Sequence, residues 1–156
     1  LINLGGTDQI TRIKNILNIL HSIKNKHKYN IIIPNHNKKI NTFKIKRHNY
    51  IFPKLIESRK LYNDIDLAIV SGGMSKYECI INFIPSIVIN LTEEQKKVNL
   101  KFKDERHVLL LNNLINFKQK FELIISKESL RSKMIKNCKK IRKNYSEKKI
   151  IKKLFF

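Results

Sequence analysis

The segment from residue 66 to residue 89 constrains the fold of this chain most strongly. It holds two short apolar runs, residues 67–70 and 86–89, and between them the pair Gly72-Gly73 and a stretch with helical character. Apolar runs of about four to eight residues, bounded by turn signals, are typical of strands that are covered on both faces of a sheet. The segment therefore predicts a strand, a glycine turn, a helix and a second buried strand.

The same alternation runs through most of the chain. Strands are predicted at residues 1–4, 29–33, 50–52, 67–70, 86–89 and 107–111, and helices at residues 9–26, 53–63, 75–82 and 92–104. Thr92, followed by acidic residues, predicts an N-cap for the helix at residues 92–104. After residue 111 the pattern is helical to the last residue. Strands that alternate with helices imply right-handed crossovers and a mostly parallel sheet. We therefore predict an α/β fold: a doubly wound, mostly parallel six-stranded sheet of Rossmann-like type with a helical C-terminal end.

The length of 156 residues fits one domain. We assign residues 1–126 to its α/β body and residues 127–156 to basic amphipathic helices of the same domain. These helices carry an apolar stripe, at Met134, Ile141, Tyr145, Ile150 and Leu154. The chain begins directly on a predicted core strand, so we expect a fragment of a longer protein.

The formal net charge is +21, and Lys, Ile and Asn dominate throughout, a pattern typical of AT-rich coding. Basic residues are not interleaved with aromatic ones, so we expect only weak, non-specific affinity for nucleic acid. Basic amphipathic helices can also lie on anionic lipid, and a weak membrane contact of the tail is the alternative to packing on the protein. We expect a cytoplasmic protein with Cys79 and Cys138 as reduced thiols.

Two glycine-containing segments follow predicted strands. Gly5-Gly6-Thr7-Asp8 comes after the first strand, and Ser71-Gly-Gly-Met-Ser75 after the fourth. Ligands of doubly wound sheets gather outside the carboxyl ends of the strands. Neither segment is a Walker loop or a dinucleotide fingerprint. The helix after Gly73 would direct free N–H groups and its positive dipole end out of the turn, which favours a phosphate.

Two pairs of side chains, one at each segment, have alternative interpretations. Ser75 and Glu78 share a helical face, which suits a diphosphate and a ribose, but the same spacing is that of a capping box. Asp8 could act on a ligand, whereas Thr7 or Asp8 could instead cap the first helix. The five histidines lack metal-ligand spacing, and we predict no metal site.

These segments resemble the C-terminal nucleotide-sugar-binding domain of GT-B proteins. The likeness lies in Gly5-Gly-Thr-Asp8, Asp66-Leu-Ala-Ile69, Ser71-Gly-Gly-x-Ser75-x-x-Glu78, Pro85-Ser-Ile-Val-Ile89 and Gln95-x-x-x-Asn99. The chain most resembles the UDP-sugar hydrolase of pseudaminic acid biosynthesis and its spore-coat polysaccharide relatives. The peptidoglycan N-acetylglucosaminyltransferase is a more distant likeness. Ser75 stands where that family usually has Thr, and Met74 replaces a small residue.

The resemblance implies a role for each matching position. The residues implied to bind the diphosphate are Gly6, Thr7, Gly72, Gly73 and Ser75. Those implied to bind the rest of a UDP-sugar are Glu78 on the ribose, Gln95, Asn99 and Asp8 facing the sugar, and Tyr50 and Phe52 near the uracil. The catalytic base would belong to a missing N-terminal half, and no cofactor is implied.

The expected function is therefore that of the UDP-sugar-binding half of a hydrolase that releases UDP from an amino-sugar nucleotide. One alternative is the donor-binding domain of an inverting glycosyltransferase that acts on a glycan or lipid. A third is a basic nucleic-acid-binding module. We expect the isolated chain to be inactive in either enzymatic case.

Overall fold

A computed structural model describes residues 1–5, 9–24, 27–33, 48–51, 58–104 and 107–144. Six strands and six helices lie in these ranges. In chain order they are β1 (Ile2–Asn3), α1 (Ile10–Ser22), β2 (Asn30–Ile32), β3 (Asn49–Ile51), α2 (Ser58–Asn63), β4 (Ala68–Ser71), α3 (Met74–Ile81), β5 (Ser86–Ile89), α4 (Glu93–Asp104), β6 (Leu109–Leu111), α5 (Phe117–Ser126) and α6 (Glu128–Asn144).

Four of the strands form one parallel sheet in the order β1-β4-β5-β6. In its centre Ile69 lies opposite Ile2 on one side and opposite Ile87 on the other. Strands β2 and β3 form a separate parallel pair with Ile31 opposite Tyr50. The α/β class and the mostly parallel sheet are confirmed.

The prediction of one six-stranded sheet is not confirmed, since the described strands divide into a sheet of four and a sheet of two. Strand β1 is only two residues long. The chain leaves the extended conformation at Gly5, whose φ is +96°. Strand β1 therefore offers β2 few backbone groups with which to form hydrogen bonds.

Side chains of the four-stranded sheet alternate between its faces, and different helices cover each face. One face belongs to a core cluster that includes Ile69, Ile87 and Ile89 together with residues of α1 and α5. The other belongs to a cluster that includes Ala68, Val70, Val88, and Cys79 and Ile80 of α3. Both central strands are therefore buried on both sides, which explains why their sequences are apolar without alternation.

Capping residues are predicted at the starts of two helices, α1 and α4. The side-chain oxygen of Thr92 accepts a hydrogen bond of 3.3 Å from the backbone N–H of Gln95, so the predicted cap of α4 is confirmed. Helix α1 has Gln9 at its N-cap, without a side-chain cap. The predicted capping residues, Thr7 and Asp8, lie outside the described part of the chain.

The C-terminal helices pack on the protein. In α6, Met134 and Cys138 are buried, one in each core cluster, and Ile141 packs partly buried against the second cluster. Residues 145–156, with the remainder of the apolar stripe, lie outside the described ranges. Within those ranges, no helix is both long and apolar enough to cross a bilayer.

Candidate functional site

The two predicted glycine turns follow neighbouring strands, β1 and β4, and meet at Ser71. A Cβ built on Gly5 would lie 3.8 Å from the hydroxyl oxygen of Ser71, and one built on Gly73 would lie 3.6 Å from the same atom. Gly6, Thr7 and Asp8 follow Gly5 directly in sequence but lie outside the described residues. The carboxyl edge of the sheet thus brings both turns together, as the order of elements predicts.

Gly72 is glycine because buried side chains approach its backbone closely. Its N–H donates to the carbonyl of Ile89 at 2.9 Å, which extends the pairing of β4 with β5. A Cβ at this position would lie 2.5 Å from Asn90 Oδ1, nearer still to Asn99 Nδ2, and 3.0 Å from Gln95 Oε1. No larger side chain fits without displacing these amides.

Two buried side chains, Lys76 and Asn99, hold the carbonyl of Gly72, and a third, Asn90, is bonded to Asn99; we call these three residues the carbonyl clamp. Lys76 Nζ and Asn99 Nδ2 each donate to the Gly72 oxygen at 3.1 Å. Lys76 Nζ also donates to Asn99 Oδ1, and Asn99 Nδ2 donates to Asn90 Oδ1 at 2.6 Å. A further bond of 2.8 Å joins Asn90 to Asn112. The clamp links the ends of β4 and β5 with α3 and α4.

Lys76 is only 1% exposed although it carries an ammonium group. Burial lowers its pKa, because removal from water disfavours the charged form. The ammonium also lies 4.4 Å from the centre of the Tyr77 ring, within cation–π range. Sequence reasoning missed Lys76, although the buried residues of α3 are Lys76, Cys79 and Ile80, which follow helical spacing.

Asn99 differs from its expected placement toward a sugar. Its side chain is 0% exposed, and both of its polar atoms take part in the clamp. The buried position of Asn99 therefore suits this side chain to support the glycine turn from the protein interior. Sequence reasoning also missed Asn90 and Asn112 as members of this network.

Gln95, which is expected to face the sugar, lies against the glycine turn. Its Oε1 accepts the backbone N–H of Leu91 at 2.8 Å. Its Nε2 lies 3.8 Å from where a Cβ of Gly73 would be. The side chain of Gln95 is partly exposed, and its amide nitrogen lies next to the backbone of Gly73.

The helix α3 places Ser75 and Glu78 in its first turns. Gly73 is the N-cap, without a side-chain cap, and Ser75 is the second helical residue. The capping-box interpretation is therefore wrong. Instead, Glu78 Oε2 accepts a hydrogen bond of 2.6 Å from the hydroxyl of Tyr62 in α2. Burial, and then this bond, raise the pKa of the Tyr62 phenol.

Tyr50 lies in β3, half-buried against the first core cluster. Burial raises the pKa of its phenol. Its predicted neighbour at the uracil, Phe52, lies outside the described part of the chain.

A cavity of about 340 Å³ opens elsewhere, at the amino ends of β1, β2 and β4. Leu1, Tyr29, Asp64 and Asp66 are among its lining residues. This is the edge of the sheet opposite the glycine turns, so the cavity is not part of the site. Over the described ranges, no cluster of three or more His, Cys, Asp or Glu side chains could hold a metal ion.

The site at the carboxyl edge is suited to binding an anion. The first backbone N–H groups of a helix have no carbonyl acceptor within it, and in α3 they begin at Met74. The dipole of α3 adds partial positive charge at the same end. Comparison of the chain with protein-family models finds no match, and comparison with curated proteins finds none either.

Proposed function

We propose that this chain is the UDP-sugar-binding half of a nucleotide-sugar hydrolase, which releases UDP from an amino-sugar nucleotide in the synthesis of surface glycans or nonulosonic acids. The observation that carries the proposal is the Gly72-Gly73 turn. Buried amide side chains pack against this turn from the protein interior. The helix α3 begins directly after the turn, and Glu78 lies about one turn into that helix. The pattern of residues and the placement of the turn support the same ligand.

The diphosphate is assigned to the start of α3. Backbone N–H groups from Gly73 onward and the hydroxyl of Ser75 supply donors, and a helix N-terminus favours the negative charge. Gly6 and Thr7 are assigned to the other side of the diphosphate, because Gly5 lies beside Ser71. Asn99 is assigned to holding the turn rather than to the sugar.

Among the described residues that remain to be assigned, Glu78, Gln95 and Tyr50 have partly exposed side chains. Glu78 receives the Tyr62 hydroxyl on Oε2, and we assign Oε1 to a ribose hydroxyl. Gln95 and Asp8 are assigned to the sugar, and Tyr50 and Phe52 to the region of the uracil. We also propose that β2 and β3 continue the sheet beside β1 in a doubly wound, Rossmann-like arrangement, and that the catalytic base comes from an N-terminal half of the hydrolase.

Calorimetric titration with UDP tests this proposal. The unchanged chain is expected to bind saturably, and Glu78→Ala to weaken binding by about 1–3 kcal/mol through loss of a charge-assisted hydrogen bond. Glu122→Ala is the matched control, because it removes a carboxylate from the exposed side of α5. Lack of binding at millimolar UDP, or equal effects of the two variants, would contradict the proposal.

A donor site of this kind also serves glycosyltransferases, so the reaction needs its own test. With the catalytic half present, release of UDP from a UDP-amino-sugar without an acceptor is the result expected of a hydrolase. Release that requires a glycan or lipid acceptor would identify a transferase instead.

A further inference from the structure

We infer that Lys76 is a positioning residue of the diphosphate site, where it fixes the Gly72 carbonyl so that the N–H of Gly73 points at the bound anion. The identity of the anion rests on the proposed function. The orientation of the Gly73 N–H does not, because it is a property of the chain without ligand.

The Gly72 oxygen is held by two donors at once. Lys76 Nζ and Asn99 Nδ2 both lie 3.1 Å from it, which satisfies both lone pairs of the carbonyl. Lys76 also donates to Asn99, so the two donors are held relative to each other. These hydrogen bonds hold the Gly72 carbonyl in a single orientation, in which its oxygen points toward the buried side of the turn.

The planar peptide carries this constraint to the next residue. In a trans peptide the carbonyl of one residue and the N–H of the next point in opposite directions in the same plane. Because the clamp holds the Gly72 carbonyl inward, the N–H of Gly73 points outward. Gly73 has no side chain, and the nearest atoms to its missing Cβ are Ser71 Oγ at 3.6 Å and Gln95 Nε2 at 3.8 Å.

The charge of Lys76 adds a polarising effect to this orientation. A hydrogen bond from an ammonium group withdraws electron density from the carbonyl, which makes the N–H of the same peptide a stronger donor. The effect is larger in the buried surroundings of Lys76 than it would be in water. The lysine thereby acts on the anion through one peptide group, without itself reaching the surface.

The test compares ¹⁵N-labelled full chains with Lys76→Met and Lys97→Met. Methionine keeps an unbranched apolar chain but removes the charge and the donors, and Lys97 provides the same change on the exposed side of α4. Without ligand, Lys76→Met is expected to move the amide proton resonance of Gly73 upfield. With pyrophosphate as the probe, it is expected to weaken binding about tenfold, whereas Lys97→Met has a much smaller effect. Lys76→Arg, which keeps charge and donors, is expected to restore most of both signals.

Each result decides the inference. A Gly73 resonance that is unmoved in Lys76→Met would overturn it, whatever the affinity for pyrophosphate. If the unchanged chain does not bind pyrophosphate, the proposed function fails, and the Gly73 resonance still decides whether Lys76 orients this N–H. If Lys76→Met does not fold, Lys76→Gln replaces it, since glutamine also removes the charge but keeps a polar group in the buried position. That variant is expected to move the Gly73 resonance in the same direction, and an unmoved resonance would again overturn the inference.

Discussion

The hydroxyl of Tyr62 donates a hydrogen bond of 2.6 Å to the carboxylate of Glu78, and this bond joins α2 to α3. Tyr62 is 5% exposed and belongs to the same core cluster as Cys79 and Ile80 of α3. A bond from a hydroxyl to an ionised carboxylate is short and strong. The core therefore fixes the orientation of the one acidic side chain that we assign to the ribose, before any ligand arrives.

Tyr62→Phe tests this relationship, because it keeps the ring and removes only the hydroxyl. We expect the free energy of unfolding to fall by about 1–2 kcal/mol, since a hydrogen bond to a charged group is lost while water can still reach the half-buried carboxylate. Binding of UDP should weaken as well, because Glu78 loses its fixed orientation. Urea unfolding and calorimetry measure the two effects, and unchanged stability would show that the bond contributes little.

Gly72→Ala and Gly73→Ala form a matched pair of predictions on stability. The added Cβ at Gly72 would overlap the amides of Asn90 and Asn99, whereas at Gly73 the nearest atom is at an ordinary contact distance of 3.6 Å. We expect Gly72→Ala to lower the free energy of unfolding by about 1–3 kcal/mol through overpacking, and Gly73→Ala to lower it by less. Equal shifts of the urea midpoint would contradict this explanation of the glycine at position 72.

The fold was predictable where short-range pattern decides the structure. Strand β5 was predicted at its observed bounds, because the consecutive apolar residues that follow Ser86 are typical of a buried central strand. The start of α4 was predicted from Thr92 and the acidic residues after it. The division into two sheets was not predictable, since hydrogen bonding between β1 and β2 depends on how far each strand extends, and local pattern does not fix this.

The site was predictable only in its backbone. The glycine pair at 72–73 follows from the pattern of a strand, a glycine turn and a helix, whereas Gln95 was expected only from the resemblance. Lys76 was missed because, in a chain with 33 Lys and Arg residues, a lysine is expected to be a charged surface residue. Tyr62 and Glu78 are 16 residues apart in sequence and lie on different helices, and no local spacing predicts a bond between such a pair.

The two cysteines should be unreactive in the folded chain. Both thiols are buried, and burial raises the pKa of Cys79 from its ordinary 9.0 to about 12 and that of Cys138 to about 11. A thiol reagent at about pH 8 should therefore label neither until denaturant is added, since only the thiolate reacts. Rapid labelling of the native chain would contradict the burial.

The same shift makes stability depend on alkaline pH. Unfolded Cys79 loses its proton near pH 9.0, whereas the folded thiol keeps it until about pH 12. The stability contribution is thus complete below about pH 9 and is lost as pH rises from there toward the folded pKa. Urea unfolding across this range should show a smaller decrease for Cys79→Ala than for the unchanged chain, and identical slopes would show that Cys79 does not cause the loss.

Ser86→Ala should stabilise the protein. Ser86 lies in β5 opposite Ala68, is fully buried, and its hydroxyl oxygen has no hydrogen-bond partner among the described residues. A buried hydroxyl without a partner has lost its hydrogen bonds to water and gained none, so its removal is expected to raise the free energy of unfolding by about 1 kcal/mol. The gain should appear as a higher urea midpoint with an unchanged m-value, because the folded and unfolded states expose nearly the same surface in both proteins. Ser132→Ala, on the exposed side of α6, is the control and should change stability by less than about 0.5 kcal/mol. Destabilisation by Ser86→Ala would mean that the hydroxyl makes a hydrogen bond in solution, for example to a buried water molecule.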